Sequence, residues 1–164
     1  MNYAREVAEK LIPANIVSLV SAFEQSCELN KEKVAFSCLN DETSFGELDD
    51  LSNRFAHYLI DDLHLNVGDR VAIQLPNITQ YAIAVWGIWR AGGIAVPLCV
   101  KHPLVSIKYV IDDTKADAII FSKEYAELIQ PLFKEFKLRA IPSENIANKK
   151  GNLPEITLNR RAMI

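Results

Sequence analysis

Three short polar segments carry the side chains that could bind a charged ligand. They are Pro76-Asn77, Lys101-His102-Pro103 and Ser122-Lys123, and each follows an apolar run that predicts a β-strand. In an open parallel sheet, ligands bind beyond the carboxyl ends of the strands, where helices begin and present free backbone N–H groups to anions. Lys101 would add a positive charge. The pattern therefore predicts a phosphate-binding rim.

Each of these residues also has a simpler interpretation. Asn77 is of a type strongly preferred at the start of a helix, so a capping role explains it more readily than ligand contact. His102 precedes a proline and suits a surface turn, and Lys101 in a loop is ordinarily only solvated. The residues alone leave both interpretations open.

Several catalytic signatures do not occur in these residues. Gly92-Gly93 fits neither the G-x-G-x-x-G nor the G-x-x-x-x-G-K-[ST] spacing and follows a predicted helix, so it favours a helix end. A G-x-S-x-G nucleophile elbow is also missing. Adjacent carboxylates diverge by about 100° on a helix and cannot share a proton. The pairs concerned are Asp49-Asp50, Asp61-Asp62 and Asp112-Asp113.

Histidines and cysteines do not group into a metal site. His57 and His64 lie on or near one predicted helix, with no cysteine or carboxylate cluster beside them. Cys27, Cys38 and Cys99 are widely spaced, and neither a zinc spacing nor a C-x-x-C pair is present. All three are predicted to be buried small hydrophobic side chains without disulfides. No metal ligand is predicted.

The elements that must position the polar loops alternate regularly beyond residue 70. Strands are predicted at Arg70 to Leu75, Ile94 to Leu98, Ala116 to Phe121 and Leu138 to Ile141, with helices between them. This order predicts an α/β fold: a parallel sheet with right-handed crossovers and helices on both faces. Tyr81 to Trp89 is apolar on every side, so its helix must be buried on more than one face.

The remaining helices have readable ends. Asn15 to Leu29 carries an apolar stripe and is predicted to be capped by Asn15. Ser44 and Glu47 stand at capping-box spacing and predict the start of a second helix. Pro131 is expected to kink or shorten the last helix, which begins near residue 125 and ends near residue 136.

The composition is that of an ordinary globular domain. The chain has 164 residues, of which 49% are hydrophobic and 24% charged. Its net charge of -3 provides no large positive field for a nucleic acid. No apolar run approaches the ~20 residues of a membrane helix, and the first ten residues do not resemble a signal peptide. A cytoplasmic location is expected, without a membrane span or a nucleic-acid partner.

Four segments resemble, in the same order, motifs of a single enzyme family. Residues 43–48 are similar to a T-Y-x-E-L segment, residues 67–72 to a G-D-R-V-A strand, and Leu75-Pro76-Asn77 to an L-x-N turn. Residues 88–98 are similar to a helix-to-strand motif, K-A-G-x-x-x-V-P-L. The resemblance as a whole covers about Val34 to Phe121. The chain is thereby identified as a member of the adenylate-forming, AMP-binding enzymes, which include acyl-CoA synthetases, luciferases and peptide-synthetase adenylation domains.

Within that family, three segments most resemble the malonyl- and methylmalonyl-CoA synthetase branch. They are Ala95 to Leu98, Lys101 to Pro103, and Tyr109 to Ile111. The resemblance implies an acid–thiol ligase. A carboxylate, such as malonate, methylmalonate or a fatty acid, attacks ATP to give an acyl-adenylate, and the CoA thiol then displaces AMP. ATP, CoA and Mg²⁺ are the implied cofactors, and Mg²⁺ neutralises phosphate charge.

The resemblance also implies that the chain is the N-terminal scaffold fragment of a longer enzyme. The phosphate-holding loop of the family, close to Y-T-S-G-T-T-G-x-P-K-G, follows a short strand whose lead-in resembles residues 161–164. Residues 1–144 are therefore expected to form an N-terminal α/β subdomain, and residues 145–164 a linker and the start of a truncated strand. No catalytic residue is expected in the fragment. It should be inactive without the C-terminal remainder of the chain and should bind no cofactor tightly.

One binding role is carried over from the family. In some CoA ligases a basic residue in the loop after the V-P-L strand contacts CoA phosphates, and Lys101 falls in that loop with His102 beside it. The alternative is a stand-alone, non-catalytic α/β binding or interaction module. A receiver-like signalling domain would place an aspartate at the end of a central strand, where Leu98 and Phe121 stand here.

Overall fold

A four-stranded parallel sheet between two layers of helices forms the centre of the computed structural model, which describes residues 18–39 and 41–146. A two-stranded antiparallel hairpin lies outside this sheet. The strands are β1 (Val34–Cys38), β2 (Asp41–Ser44), β3 (Arg70–Gln74), β4 (Ile94–Pro97), β5 (Ala118–Phe121) and β6 (Arg139–Pro142). The helices are α1 (Leu19–Leu29), α2 (Phe45–His57), α3 (Thr79–Arg90), α4 (Leu104–Thr114) and α5 (Ala126–Phe136), and α2 continues into a π-helical turn (Tyr58–Asp62).

The strand order in the sheet is β4-β3-β5-β6, and every neighbouring pair is parallel. Strand β3 is therefore central: its Ala72 pairs with Val96 of β4 and with Ile119 of β5. The parallel α/β fold expected from the alternating elements is confirmed.

Side chains that alternate along the strands build two separate cores. Val71 and Ile73 of β3 pack with Ala118 of β5 on the face covered by α1, α2 and α3. Ala72 and Ile119 point to the opposite face, which is covered by α4 and α5. This is the period of two that a β-strand imposes. The expectation of helices on both faces is confirmed.

Serine residues begin the first two helices. Ser44 Oγ accepts from the Glu47 backbone N–H at 3.2 Å, and the Glu47 carboxylate accepts from the Ser44 N–H at 2.9 Å. The predicted capping box is confirmed, and it satisfies two backbone donors at once. Ser18 forms the same kind of box at the start of α1. Asn15, the predicted cap, lies outside the described residues.

Helix α3 has no exposed residue, as its all-round apolar sequence predicted. Gly87 allows it to pack closely on α2, because a Cβ atom there would lie 2.6 Å from Phe55 Cδ1. Trp86 stacks on Phe23 of α1 with ring centroids 3.8 Å apart. Helix α3 is thus the centre of its layer and contacts both neighbouring helices and the sheet.

An ion-pair cluster ties the three helices of this layer together. The Arg90 side chain is only 9% exposed and forms ion pairs with Asp49 of α2 and Glu24 of α1. Its guanidinium also lies over the Phe23 ring, 5.4 Å from the centroid. A buried arginine is stable only when it is paired in this way.

Pro131 does not shorten the last helix, so that part of the expectation is wrong, and a kink at Pro131 stays a prediction. Helix α5 runs from Ala126 through Pro131 to Phe136. Pro131 lies on the exposed side, where water can bond the carbonyl that loses its N–H partner. Burial of Ile129 and Leu132 in the sheet-facing core outweighs the roughly 3 kcal/mol that an interior proline costs.

A second arginine closes the edge of the sheet where the strands begin. Arg139 of β6 donates to the Asp69 carboxylate at 2.9 Å and to the carbonyl of Leu63 at 2.7 Å. Burial raises the pKa of Asp69, but hydrogen bonds from the Asn66 backbone and from Arg139 outweigh burial and hold that pKa below its ordinary value. The charged carboxylate is therefore the form that the fold stabilises.

The lowered pKa of Asp69 predicts a pH-dependent contribution to stability. A depressed folded-state pKa gives stability that is fully present above the unfolded value of 3.8 and is lost as the pH falls through the folded value. We expect Asp69→Asn to lower the free energy of unfolding by about 1–3 kcal/mol at neutral pH, and by progressively less below about pH 4. Urea unfolding across this range measures the difference. Asp113→Asn, at an exposed position on α4, is the matched control; a pH-independent loss for Asp69→Asn would contradict the prediction.

Candidate functional site

The course of the chain around β3 opens a crevice at the carboxyl edge of the sheet. From β3 the chain crosses through α3 to β4 on one side, and from β4 it crosses through α4 to β5 on the other side. From β5 the chain crosses through α5 to β6, away from β4, so the loops after β3 and β5 leave in opposite directions. Such a switch point is where open α/β sheets bind their ligands.

A cavity of about 600 Å³ lies at this point, and we call it the carboxyl-edge cavity. It is formed by the loop after β3, the first turn of α3, the loop after β5 and the turn after β6. Its lining residues are Ile78, Gln80, Ser122, Lys123, Glu124, Ser143 and Glu144. The topology thus brings segments more than sixty residues apart in sequence into one cavity.

The cavity offers both donors and acceptors. Helix α3 starts there at Thr79 without a side-chain cap, so its first backbone N–H groups remain available. Lys123 forms no ion pair with any residue that the structure describes, and Ser122 Oγ donates to Glu124 Oε1 at 3.0 Å. The carboxylates of Glu124 and Glu144 limit how much negative charge the cavity can accept. Its chemistry suits a polar ligand with both donors and acceptors.

The residues of the phosphate-binding rim predicted from the sequence do not all lie at the cavity. Ser122 and Lys123 line the cavity, whereas Lys101 and His102 lie outside its lining, in the loop after β4. Lys101 is exposed. His102 is partly buried, and its Nδ1 atom is buried without a hydrogen-bond partner in the described part of the chain. Pro103 then forms the N-cap of α4, again without a side-chain cap.

The capping role predicted for Asn77 is wrong. Ile78 is the N-cap residue of α3, and Asn77 is exposed one position earlier. The reason is a tight turn, in which the Ile78 N–H donates to the Pro76 carbonyl at 2.8 Å. Because of this turn, the helix begins one residue later than predicted. The Asn77 carbonyl instead lies 3.4 Å from Cys38 Sγ and accepts the thiol hydrogen bond.

Five polar residues of this edge were missed by sequence reasoning. Four of them line the cavity, but nothing in their local sequence distinguishes them from surface residues: Gln80, Glu124, Ser143 and Glu144. Gln74, the last residue of β3, is fully buried, and neither of its amide atoms has a partner among the described residues. A signal for Gln74 existed, because its amide directly follows the apolar run Val71-Ala72-Ile73 of the strand.

The three cysteines are free thiols in different environments. Burial, together with the nearby Asp49 carboxylate, raises the pKa of Cys27 to about 11. Its burial was predicted correctly. Cys38 is partly buried and Cys99 is exposed, so the prediction of burial is wrong for Cys99. In residues 18–39 and 41–146, no three histidine, cysteine, aspartate or glutamate side chains come together as a metal site.

A family model described as "AMP-binding enzyme" matches residues 23–161. The chain belongs to the AMP-binding enzyme family. The identification made from the four motifs is thereby confirmed.

The helices in the described ranges include none long and apolar enough to cross a membrane.

Curated relatives of this chain are named CoA ligases. The long-chain-fatty-acid–CoA ligase of Escherichia coli O157:H7 is 30% identical over 155 residues, which cover 92% of this chain and 28% of that protein. The mitochondrial malonate–CoA ligase ACSF3 of Homo sapiens is 36% identical over 74 residues, covering 45% of this chain and 13% of that protein. The chain thus spans about a quarter of the length of the long-chain ligases that it matches.

Solved structures agree with the fold. The apo structure of MbtA from Mycobacterium smegmatis superposes with a TM-score of 0.70 at 25% identity, covering 85% of this chain and 28% of that one. Apo MatB from Rhodopseudomonas palustris gives a TM-score of 0.58 at 25% identity, covering 62% and 20%. The α/β unit described above therefore recurs in larger proteins.

The contrast between the cysteines predicts selective alkylation. Because the thiolate is the reactive form, a buried thiol with a pKa of about 11 should react far more slowly than an exposed one. We expect iodoacetamide at neutral pH to modify Cys99 first and to leave Cys27 unmodified in the folded chain. Peptide mass spectrometry gives the extents, and the urea-unfolded chain is the control in which all three react. Early labelling of Cys27 would show that the α1 layer is packed differently.

Proposed function

We propose that the chain is the N-terminal scaffold of an ATP-dependent acyl-CoA synthetase. Such an enzyme activates a carboxylate as an acyl-adenylate and then transfers the acyl group to the thiol of CoA. The observation that carries the proposal is the family match over residues 23–161, together with CoA ligases that are 30% identical over 92% of the chain. The remainder of the longer chain is its expected partner.

The described residues do not fit the ATP and Mg²⁺ sites of this reaction. Mg²⁺ prefers clustered oxygen ligands, and no group of three candidate ligand side chains meets in the described ranges. The glycine-rich phosphate loop of the family has no counterpart in these residues. We therefore assign ATP and Mg²⁺ to the remainder of the enzyme, and to this chain a supporting role.

CoA is the cofactor that these residues could contact, because its negatively charged phosphates are complementary to the positive charge in the loop after β4. Lys101 presents an exposed ammonium there, and the first turn of α4 has no side-chain cap. His102 stands beside Lys101 and is partly buried; its Nδ1 atom is buried, so only the rest of the ring could reach a phosphate. Bound CoA supplies the thiol that displaces AMP. Lys101 and His102 would hold and orient its phosphate end.

The acyl substrate is proposed only as a class. A fatty acid is favoured by the length of the match, because the E. coli long-chain ligase aligns over 155 residues, whereas the human malonate ligase aligns over 74. Malonate or methylmalonate is the second candidate and is supported by the residues around Lys101. The cytoplasm remains the predicted location of the reaction.

The proposal predicts that the chain has no activation chemistry of its own. Carboxylate-dependent ATP–pyrophosphate exchange should not rise above the rate measured without carboxylate, because the phosphate-holding loop is not among these residues. Palmitate and malonate are the test acids, with the full-length E. coli ligase as the positive control. Clear exchange by the chain would place the active site within it. A natural reading frame that stops at Ile164 would instead support the stand-alone binding module.

The CoA contact predicts a charge-dependent affinity. We expect Lys101→Ala to weaken CoA binding about threefold to tenfold in calorimetric titration, because it removes one phosphate contact. The effect should shrink at high salt. Lys115→Ala is the matched control, since Lys115 is an exposed lysine at the opposite end of the same helix. Equal effects of the two substitutions would contradict a specific role for Lys101.

A further inference from the structure

Gln74 is an unusual residue to find at the end of the central strand. Its side chain is fully buried, and both Oε1 and Nε2 lack hydrogen-bond partners among the residues that the structure describes. A buried amide without partners destabilises a fold, and most such groups in native proteins bind a protein group or an ordered water. Gln74 therefore needs a polar partner inside the protein.

The face on which Gln74 lies is settled by the sheet register. Gln74 pairs with Phe121 of β5, and Phe121 packs in the core beneath α4 and α5. Ala72, two residues earlier on β3, belongs to the same core. Since paired residues and alternate residues share a face, the amide of Gln74 lies on the α4 side of the sheet.

His102 has a second buried polar atom without a partner in the described structure, Nδ1, near the same end of the sheet. The Leu98 N–H donates to the Ile73 carbonyl at 2.9 Å, so the end of β4 lies beside the end of β3. The chain then turns, with the His102 N–H donating to the Cys99 carbonyl at 3.0 Å, and α4 begins after Pro103. From this path of the chain we infer that the buried Nδ1 of His102 and the amide of Gln74 lie at the same end of the sheet, on the side where α4 begins.

We propose that Gln74 and His102 bind at least one ordered internal water, and that Gln74 is a positioning residue for the loop that carries Lys101. The Gln74 Nε2–H donates to the water oxygen, and the water donates to His102 Nδ1, which is the acceptor when the ring proton is on Nε2. An internal water typically forms about three hydrogen bonds of this kind. The argument for the water site uses only the positions and burial of Gln74 and His102. The expected effect on CoA binding rests, in addition, on the proposed function.

A double-mutant cycle tests the water site through stability. Gln74→Met keeps the side-chain length without polar atoms and should raise the unfolding equilibrium constant roughly tenfold. Gln80→Met, the same change at a partly exposed glutamine, should alter it less than about twofold. In Gln74→Met/His102→Leu, the combined effect should be smaller than the product of the single effects, because the first substitution already removes the water. A stabilising Gln74→Met, or effects that simply multiply, would overturn the proposal.

Three further measurements complete the test. In the wild-type chain, which needs no variant to fold, the Gln74 side-chain amide protons should show a cross-relaxation peak with a long-lived water by NMR; its absence would sink the water site. His102→Asn, which retains a polar atom near Nδ1, should restore part of the stability lost in His102→Leu. CoA titration of Gln74→Met should then give weakened binding. If the NMR peak is present but the wild-type chain does not bind CoA, the proposed CoA contact fails and the water site stands.

Discussion

The burial of both faces of strand β3 is the constraint on which the rest of the structure depends. Val71, Ala72 and Ile73 are all fully buried, although successive side chains point to opposite faces of the sheet. A parallel strand of this kind needs cover on both sides. One layer of three helices and another of two provide that cover, and each layer has its own apolar core.

The same constraint decides where a ligand can bind. To cover both faces, the chain must cross to one side of β3 through α3 and to the other side through α4. The reversal leaves a crevice at the carboxyl ends of β3 and β5, and polar residues collect there. Gln74 ends β3 after its apolar run, and Lys123 is the second residue after β5. The location of the candidate site is thus a consequence of how the core is covered.

The amino and carboxyl edges of the sheet differ in whether their charged side chains form ion pairs within the protein. At the amino edge, Arg139 is bonded to Asp69 and to backbone carbonyls, and Arg90 holds the last turn of α3 to the neighbouring helices. Partially buried pairs of this kind fix geometry, because removing one partner leaves a charge uncompensated. At the carboxyl edge, Lys123 and Glu144 take part in no ion pair within the described ranges. The amino edge is closed by the protein itself, and the carboxyl edge remains able to bind other groups.

Local patterns in the sequence determined the elements and the family. The apolar runs specified the strands, Ser44 and Glu47 specified the start of α2, and the alternation of elements specified a parallel sheet, because these signals depend only on near neighbours. Only the tertiary structure decided that Arg139 meets Asp69, seventy residues away, or that Lys123 rather than Lys101 lines the cavity. Such meetings depend on how the layers pack, and a single loop sequence contains no record of what will lie opposite it.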